Sequence, residues 1–317
     1  MFFILILNIM KPSELKILVA TDFQPQSVYA LEYAAGLAGS INAKLILLHV
    51  TEEYDWGVSD DHTKDLYRGI YEKLKDKLNH LADVITKKYG TEVITVLEKG
   101  KIYKMIPEVS KREKAEMIVM GKKESMDMVR TILGTNTLSI VRSSQIPVIT
   151  IRKEIQKKEI KKMLLPLDLT RESKSQVANA IKYAGLFNAE IEVLSVLTVK
   201  NEILSIHFLT TLNKIEKIMN EHGVKCNTKI IEEYKKDIGD VVTDYANDVN
   251  ADLIMVMTQK EVNFKEYFVG SNALDIIKNS DLPVLSIIPQ ILPEEEITES
   301  LIDKSVRTIV DPLNIYK

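Results

Sequence analysis

An internal repeat constrains the fold of this chain more than any other feature of its sequence. Residues 15–22 (LKILVATD) match residues 161–168 (KKMLLPLD), and the shift of 146 positions, from Asp22 to Asp168, continues without a gap to Val50 and Val196. Later blocks match at a shift of 136 positions, AEMIVM with ADLIMV and IPVITI with LPVLSI. A chain that repeats itself over most of its length is expected to fold as two copies of one domain.

The boundaries of the two copies follow from length and local composition. At 317 residues the chain exceeds the usual size of one hydrophobic core. The stretch RKEIQKKEIKK between the copies is charged and has too little apolar content to hold a core position, so we predict a linker there. The predicted organisation is an N-terminal extension (1–12), a first domain (13–152), the linker (153–160), a degenerate second domain (161–289) and a C-terminal tail (290–317).

Each copy has the pattern of alternating strands and helices. Residues 17–20 and 45–50 are short apolar runs, as in strands buried on both faces of a parallel sheet. Between them apolar residues recur at helical spacing, with Pro25 suited to the start of a helix and Gly39 to its end. Further strands are predicted over 93–97, 117–120 and 146–151, with helices closing at Gly90, over 102–114 and from about Thr137. We therefore predict an α/β fold with two tandem, doubly wound, five-stranded parallel sheets.

Charge and cysteine content exclude several classes of partner. The net charge is −3 and basic residues are interspersed with acidic ones, so we expect no nucleic-acid partner. The single cysteine, Cys226, cannot form an intramolecular disulfide, and no Cys/His cluster has zinc-ligand spacing. We therefore expect the protein to reside in a reducing cytoplasm and to hold no metal.

The first ten residues, MFFILILNIM, are apolar but do not have the pattern of a membrane segment. They lack a positive start and a small-residue cleavage site, and have about half the length needed to span a bilayer. We expect no membrane partner. A mis-assigned translation start before Met10 and an extra strand-like extension both remain open.

Candidate site residues follow the predicted strands, because ligands of doubly wound sheets bind outside the carboxyl ends of the strands. Asp22 follows the first strand, Val50 ends the second, and Gly121 follows the fourth. Gly134 directly precedes a helix, whose backbone N–H groups and positive end suit an anion such as phosphate. The alternative is that Asp22 only forms a turn and that Gly134 only begins a helix.

Catalytic signals are absent from the sequence. His49 ends the second strand and Ser195 replaces it in the repeat, which favours a packing role over a catalytic one. No GxSxG, HExxH or Walker motif and no paired carboxylates are present. We do not expect an enzyme, although weak ATP hydrolysis stays open.

Three stretches resemble the universal stress protein domain: ILVATDF, LILLHV, and AEMIVMGKKE followed by LGTNTLSIVRSSQIPVITI. The resemblance covers both halves. It implies a Rossmann-like sheet similar to that of adenine-nucleotide alpha-hydrolases, and binding of ATP or AMP, with or without Mg²⁺. ATP-binding members carry a loop of Gly, two residues, Gly, nine residues, Gly, then Ser or Thr. Here those positions are Gly121, Glu124, Gly134 and Thr135.

The resemblance also implies a role for each matching position. Asp22 would lie near the adenosine or phosphate end, Val50 would offer its backbone to adenine, and Gly121 would allow close approach of the ribose. The nucleotide-binding candidates of the first half are Ala20, Thr21, Asp22, Val50, Met120, Gly121, Lys122, Gly134, Thr135 and Asn136. A second, weaker site would comprise Asp168, Val196, Gly270, Ser271 and Asn272.

Both halves depart from the family pattern. Glu124 puts a Cβ and a negative charge where a bare backbone should pass the ligand, although Lys122 and Lys123 partly compensate. In the second half Met257 and Lys260 replace both early glycines. We therefore expect nucleotide binding mainly in the first half, with the second half as a structural partner.

Two functions remain in competition at this stage. The leading one is a stress-response regulatory protein that binds an adenine nucleotide mainly in its first domain. The alternative is an adaptor that binds no nucleotide and acts through protein contacts. A third possibility, an adenylating enzyme, would require a phosphate loop after the first strand, and this sequence does not have one. Because the apolar strands at 146–151 and 282–288 need cover as edges, we also predict that the halves pair within the chain, with a homodimer as a further level of assembly.

Overall fold

The computed structural model of the chain describes residues 15–52, 61–122, 134–169, 173–260, 267–268 and 270–288. By their internal contacts the described residues divide into two units, one up to Lys158 and one from Glu159 onward. The predicted extension over 1–12 and the tail over 290–317 lie outside the described residues, as do Trp56, Lys123 and Glu124.

The first half is an open parallel sheet with crossover helices. Its elements are β1 (Lys16–Ala20), α1 (Pro25–Ile41), β2 (Lys44–Thr51), α2 (Asp61–Tyr89), β3 (Val93–Lys99), α3 (Ile102–Arg112), β4 (Met117–Gly121), α4 (Thr135–Ser143) and β5 (Val148–Ile151). The strand order is β3-β2-β1-β4-β5, and all neighbours are parallel. Strand order therefore reverses between β1 and β4. Leu18 and Val19 of the central strand are fully buried, and burying such a side chain stabilises the fold by about 1.5–3 kcal/mol.

The second half repeats this plan. Its elements are β6 (Lys162–Pro166), α5 (Ser173–Phe187), β7 (Glu190–Leu197), α6 (Glu202–Glu221), β8 (Cys226–Glu232), α7 (Ile238–Asp248), β9 (Leu253–Met257), β10 (Gln259–Lys260), β11 (Tyr267–Phe268), α8 (Ser271–Asn279) and β12 (Val284–Ile287). The parallel order is β12-β9-β6-β7-β8. The predicted α/β fold, with a doubly wound set of five parallel strands in each half, is confirmed. The short antiparallel hairpin of β10 and β11 was not predicted.

The repeat is also visible in backbone conformation. Phe23 and Leu169, equivalent residues after the first strand of each half, both adopt positive φ, 63° and 57°. Asn42 and Asn188 do so at the ends of the first helices, at 54° and 51°. The prediction that Gly39 ends its helix is wrong: α1 continues to Ile41 and Asn42 caps it, because asparagine tolerates the left-handed conformation.

Two further predictions need correction. The linker was expected to hold no core position, but Ile160 is only 1% exposed. A single aliphatic side chain in a charged segment can be buried while its charged neighbours stay in solvent. Helix α4 begins at Thr135, two residues before the predicted Thr137, because Gly134 itself is the N-cap. Pro25 does stand in the first turn of α1, as predicted. Within the described part of the chain, no helix is long and apolar enough to cross a membrane.

The linker is anchored on α1 through Gly36. A Cβ at Gly36 would overlap the Cβ and Cγ of Lys158, so the Lys158 side chain can lie against this helix only because glycine is present. The Lys158 amine donates a hydrogen bond to the Ile155 carbonyl, and burial lowers its pKa. The charged segment is thus partly fixed on the first half.

Replacing Gly36 with alanine is expected to push this segment off α1. We expect the free energy of unfolding to fall by about 1–3 kcal/mol because of the overlap with Lys158. Limited trypsin digestion should cut the linker lysines about 10-fold faster, in proportion to the greater local opening.

The matched control is Gly39→Ala in the same helix, where nothing lies within 4 Å of the new Cβ. That variant should gain up to about 1 kcal/mol from helix propensity, with unchanged trypsin cleavage. Equal digestion rates for the two variants would contradict the anchoring role of Gly36.

Candidate functional site

A hydroxyl network builds the turn that follows β1. The Ser27 hydroxyl, in the first turn of α1, donates to the Gln24 carbonyl at 2.9 Å and lies 3.1 Å from the Thr21 hydroxyl. It also accepts from the Asp22 N–H at 3.3 Å, while the Phe23 N–H donates to the Thr21 hydroxyl at 3.0 Å. Thr21 and Ser27 are buried. The turn between strand and helix is therefore specified by two side chains.

Asp22 takes part in the same turn. Its Oδ1 accepts the Gln24 N–H at 3.0 Å, a local bond typical of aspartate turns. Asp22 is exposed to solvent. The turn-forming role considered for Asp22 is thus present, and it leaves the carboxylate accessible.

His49 ties the end of β2 to this turn. Its Nδ1 lies 2.7 Å from the Thr21 carbonyl; because a carbonyl only accepts, Nδ1 carries the proton. The Phe23 ring lies 4.6 Å from the imidazole, and the Lys77 amine lies 4.2 Å from the centre of the Phe23 ring. In the second half the Ser195 hydroxyl donates to the Leu167 carbonyl at 2.8 Å, the equivalent bond. This repeated bond supports the structural role predicted for His49.

Gly121 permits an unusually close backbone contact. A Cβ on Gly121 would lie 2.5 Å from the carbonyl carbon and oxygen of Gln26 and 2.9 Å from the Ser27 nitrogen. The first turn of α1 therefore lies directly against the end of β4. The sequence assigned this glycine to ligand approach; the structure gives it a packing reason as well.

Lys122, a candidate for nucleotide binding, is buried at this edge of the sheet. It is only 1% exposed, and its N–H donates to the Ile151 carbonyl at 2.8 Å, continuing the pairing of β4 with β5. A buried lysine is uncommon and needs compensating polar or charged groups. The only signal in the sequence was its position directly after a buried strand.

The N-terminus of α4 has no side-chain cap among the described residues. Gly134 is the N-cap, and its carbonyl accepts the Leu138 N–H at 3.0 Å. Among the described residues, the nearest atom to a Cβ built at Gly134 is the Thr137 hydroxyl, at 3.9 Å, so none of them crowds the cap. Open N–H groups at a helix start, together with the helix dipole, can bind an anion.

The strand register brings most of the predicted residues of the first half to one edge. Ala20 pairs with both Met120 and Leu48, so Thr21, Gly121 and the end of β2 at Val50 share the carboxyl edge of neighbouring strands. Met120 and Lys122 are buried, whereas Val50 and Gly121 are partly exposed. Thr135 and Asn136 form the first turn of α4. No three His, Cys, Asp or Glu side chains of the described residues gather as a metal site.

The second half keeps the frame of this edge but not its open backbone. Met257, in place of Gly121, is buried, so the close contact of Gly121 with α1 cannot be repeated. Thr258 replaces Lys122, and its N–H donates to the Ile287 carbonyl at 2.9 Å. Gly270 caps α8 without a side-chain bond, as Gly134 does α4; Ser271 and Asn272 follow it, and Asp168 and Val196 stand at the equivalent strand ends.

Comparison with known proteins identifies relatives of both halves. The sequence matches the model of the universal stress protein family over residues 15–152 and 159–287. A universal stress protein of Methanocaldococcus jannaschii is 28% identical over 141 residues, 40% of this chain and 81% of that protein. A crystal structure of a universal stress protein from Archaeoglobus fulgidus covers 88% of this chain and 97% of its own, with 17% identity and a TM-score of 0.67.

A further structure shows a universal stress protein from Archaeoglobus fulgidus in complex with dAMP. It is 21% identical, covers 41% of this chain and 98% of its own, and has a TM-score of 0.33. The bound nucleotide is a property of that protein.

Replacing Gly121 with alanine tests the close contact between β4 and α1. Because the new methyl group meets backbone rather than a flexible side chain, we expect a loss of about 1–3 kcal/mol in the free energy of unfolding. Gly134→Ala, where no described atom lies closer than 3.9 Å to the new Cβ, should change it by less than about 1 kcal/mol. Chemical denaturation of both variants measures the difference, and equal stabilities would refute the contact.

Proposed function

Because this chain belongs to the universal stress protein family, we propose that it is a stress-response regulatory protein that binds an adenine nucleotide, ATP or AMP, in its first half. One observation carries the proposal: β4 ends at the partly exposed Gly121, at the carboxyl edge of the sheet, and the helix that follows begins at Gly134 with no side-chain cap among the described residues. An extended anionic ligand can use both features, an accessible strand end and the N–H donors at the start of a helix.

The residues of the first half fit the parts of such a ligand. The N–H groups of Thr135 and Asn136 would donate to phosphate oxygens, because they lie in the first turn of α4, at the positive end of the helix dipole. The partly exposed backbone at Val50 would meet the adenine, and Asp22 has an exposed carboxylate for a ribose hydroxyl or a nucleotide-bound Mg²⁺. The floor of the nucleotide site would be formed by the ends of β1 and β4, with Ala20, Thr21, Met120 and Gly121.

Lys122 supplies a positive charge two positions before Glu124, which occupies the place of a glycine in the family pattern. Its amine is withdrawn from water, so its field on a nearby phosphate is screened less than that of a surface lysine. We propose that this charge offsets the repulsion between Glu124 and the phosphates.

We propose binding and release, rather than chemical turnover, as the activity. The Nδ1 of His49 is engaged by the Thr21 carbonyl, and Oδ1 of Asp22 by the Gln24 N–H, so both side chains are held by the turn. Nucleotide occupancy would act through the α1 turn, which contacts β4 directly. We place the protein in the cytoplasm, where the buried thiol of Cys226 stays reduced.

The second half is proposed as a structural partner, paired with the first inside one chain and open to a homodimer. Met257 fills the position of Gly121, which removes the bare backbone at the end of β9. An adaptor without nucleotide is the second candidate, favoured by one observation: α1 packing by itself requires a glycine at 121.

Introducing aspartate at the cap of α4 separates these two functions. Gly134→Asp should keep the fold, since aspartate is a favourable N-cap, but its carboxylate occupies the anion position. We expect ATP and AMP to bind the unaltered protein with one site per chain, and the variant to bind at least about 10-fold more weakly, a cost of about 1.4 kcal/mol. Isothermal titration calorimetry on nucleotide-free protein measures both.

The control is Gly270→Asp, the same change at the equivalent cap of α8. It should leave affinity and stoichiometry unchanged. An equal loss of affinity in both variants would show that the nucleotide binds elsewhere or contacts both halves. If the unaltered protein gives no heat of binding at millimolar nucleotide, the adaptor function is favoured.

Replacing Glu124 with glycine restores the family pattern. If the nucleotide passes this position, removing a Cβ and a negative charge should raise affinity about 3- to 30-fold, the effect of roughly 1–2 kcal/mol. Lys260→Gly in the second half serves as the matched change. Unaltered affinity in the Glu124→Gly variant would show that the ligand does not approach this residue.

A further inference from the structure

One helix of the second half has an apolar surface on its exposed side. In α6, Ile203 is 81% exposed, Ile206 64% and Leu209 52%; we call these three residues the α6 stripe. Val199, just before the helix, is 55% exposed and extends it. The opposite side of the helix, with Leu212, Ile215 and Met219, is buried.

The α6 stripe is unusual because no charge interrupts it. Residues 203–213 (ILSIHFLTTLN) contain no Asp, Glu, Lys or Arg. Single exposed apolar residues are ordinary, but a contiguous patch on a helix marks a contact surface. The stripe therefore needs an occupant that is itself apolar along one side.

The position of the stripe in the fold limits what that occupant can be. β7 ends at Leu197 and α6 begins at Glu202, so the stripe occupies the first turns of the helix, beside the carboxyl edge of the sheet. β12 runs parallel to β9, β9 to β6 and β6 to β7. The chain after Ile287 consequently leaves the sheet at the same edge.

The sequence beyond β12 contains a matching apolar pattern. Ile302, Val306, Ile309 and Val310 follow the spacing i, i+4, i+7, i+8, which places them on one side of a helix. Asp303, Lys304 and Arg307 fall on the other side, and Pro312 marks a stop. A helix this short is marginal alone in water, so its apolar side needs a partner.

The connecting segment can reach the stripe. Ile302 lies 14 positions after Ile288, and this stretch spans up to about 46 Å when extended. Three strand spacings separate β12 from β7, roughly 14 Å. The tail thus needs less than its full length to cross the sheet edge and turn along α6.

We propose that residues 298–311 form an amphipathic helix that docks on the α6 stripe of the same half. Ile302, Val306, Ile309 and Val310 then cover Ile203, Ile206 and Leu209. The docking does not depend on nucleotide binding in the first half.

Thiol cross-linking in the full chain tests the contact. The variant with Ile206→Cys and Val306→Cys is treated with a short bismaleimide and compared with the variant with Ile206→Cys and Arg307→Cys, whose tail thiol would face away. The native Cys226 does not interfere, because burial raises its pKa to about 12. We expect an intrachain link at least about 10-fold faster in the Val306 variant, as effective concentration depends on proximity.

Equal rates would overturn the proposal. A product linked between two chains would overturn it too, and would identify a second copy as the occupant of the stripe.

Hydrogen exchange of the tail provides a second measurement that needs no cross-linker. Amides of residues 298–311 should exchange about 10-fold faster in Ile206→Asp than in the unaltered chain, because undocking removes their protection. Asn220→Asp adds the same charge at an exposed position about 21 Å farther along α6 and should have no effect. A tail that exchanges equally fast in all three proteins would refute the docking.

Discussion

The contact between the first turn of α1 and the end of β4 is the constraint on which the candidate site depends. With only 2.5 Å between a Gly121 Cβ and the Gln26 carbonyl, the helix can lie against the strand solely because that side chain is missing. The same turn is fixed from the other side by Ser27 and by the bond from His49 to the Thr21 carbonyl. Three neighbouring segments are therefore held at one edge before any ligand enters.

Much of the fold could be predicted because it depends on local pattern and on repetition. Short apolar runs alternating with amphipathic helices specify parallel strands with crossovers, and the shift between the halves assigns equivalent strands in each. The shift also pairs His49 with Ser195, which indicated a structural role that the repeated bond to the strand-end carbonyl supports. Two unlike side chains, His49 and Ser195, thus make the same bond in the two halves.

The rest could not be predicted because it depends on contacts between distant segments. Nothing near Gly121 in the sequence indicates that Gln26 will lie against it, and nothing in RKEIQKKEIKK marks Ile160 as buried. The sequence around Lys122 does not predict that this residue is buried, whereas in the structure its N–H pairs with the Ile151 carbonyl and it is 1% exposed. The sequence predicts that Gly121 lies at a strand end and Gly134 at a helix start, but it does not predict which residues contact them.

Comparison of the halves bears on whether Gly121 is present for packing alone. The second half builds an equivalent turn, with the Leu167 N–H bonded to the Leu194 carbonyl and positive φ at Leu169, although Met257 replaces the glycine. The strand order, the helix caps and the bond from Ser195 are also kept. This fold therefore forms without close approach at that edge. Because the second half forms this turn with methionine at the equivalent position, the turn alone does not account for Gly121; a ligand at this edge does, which supports the proposal of binding over that of an adaptor.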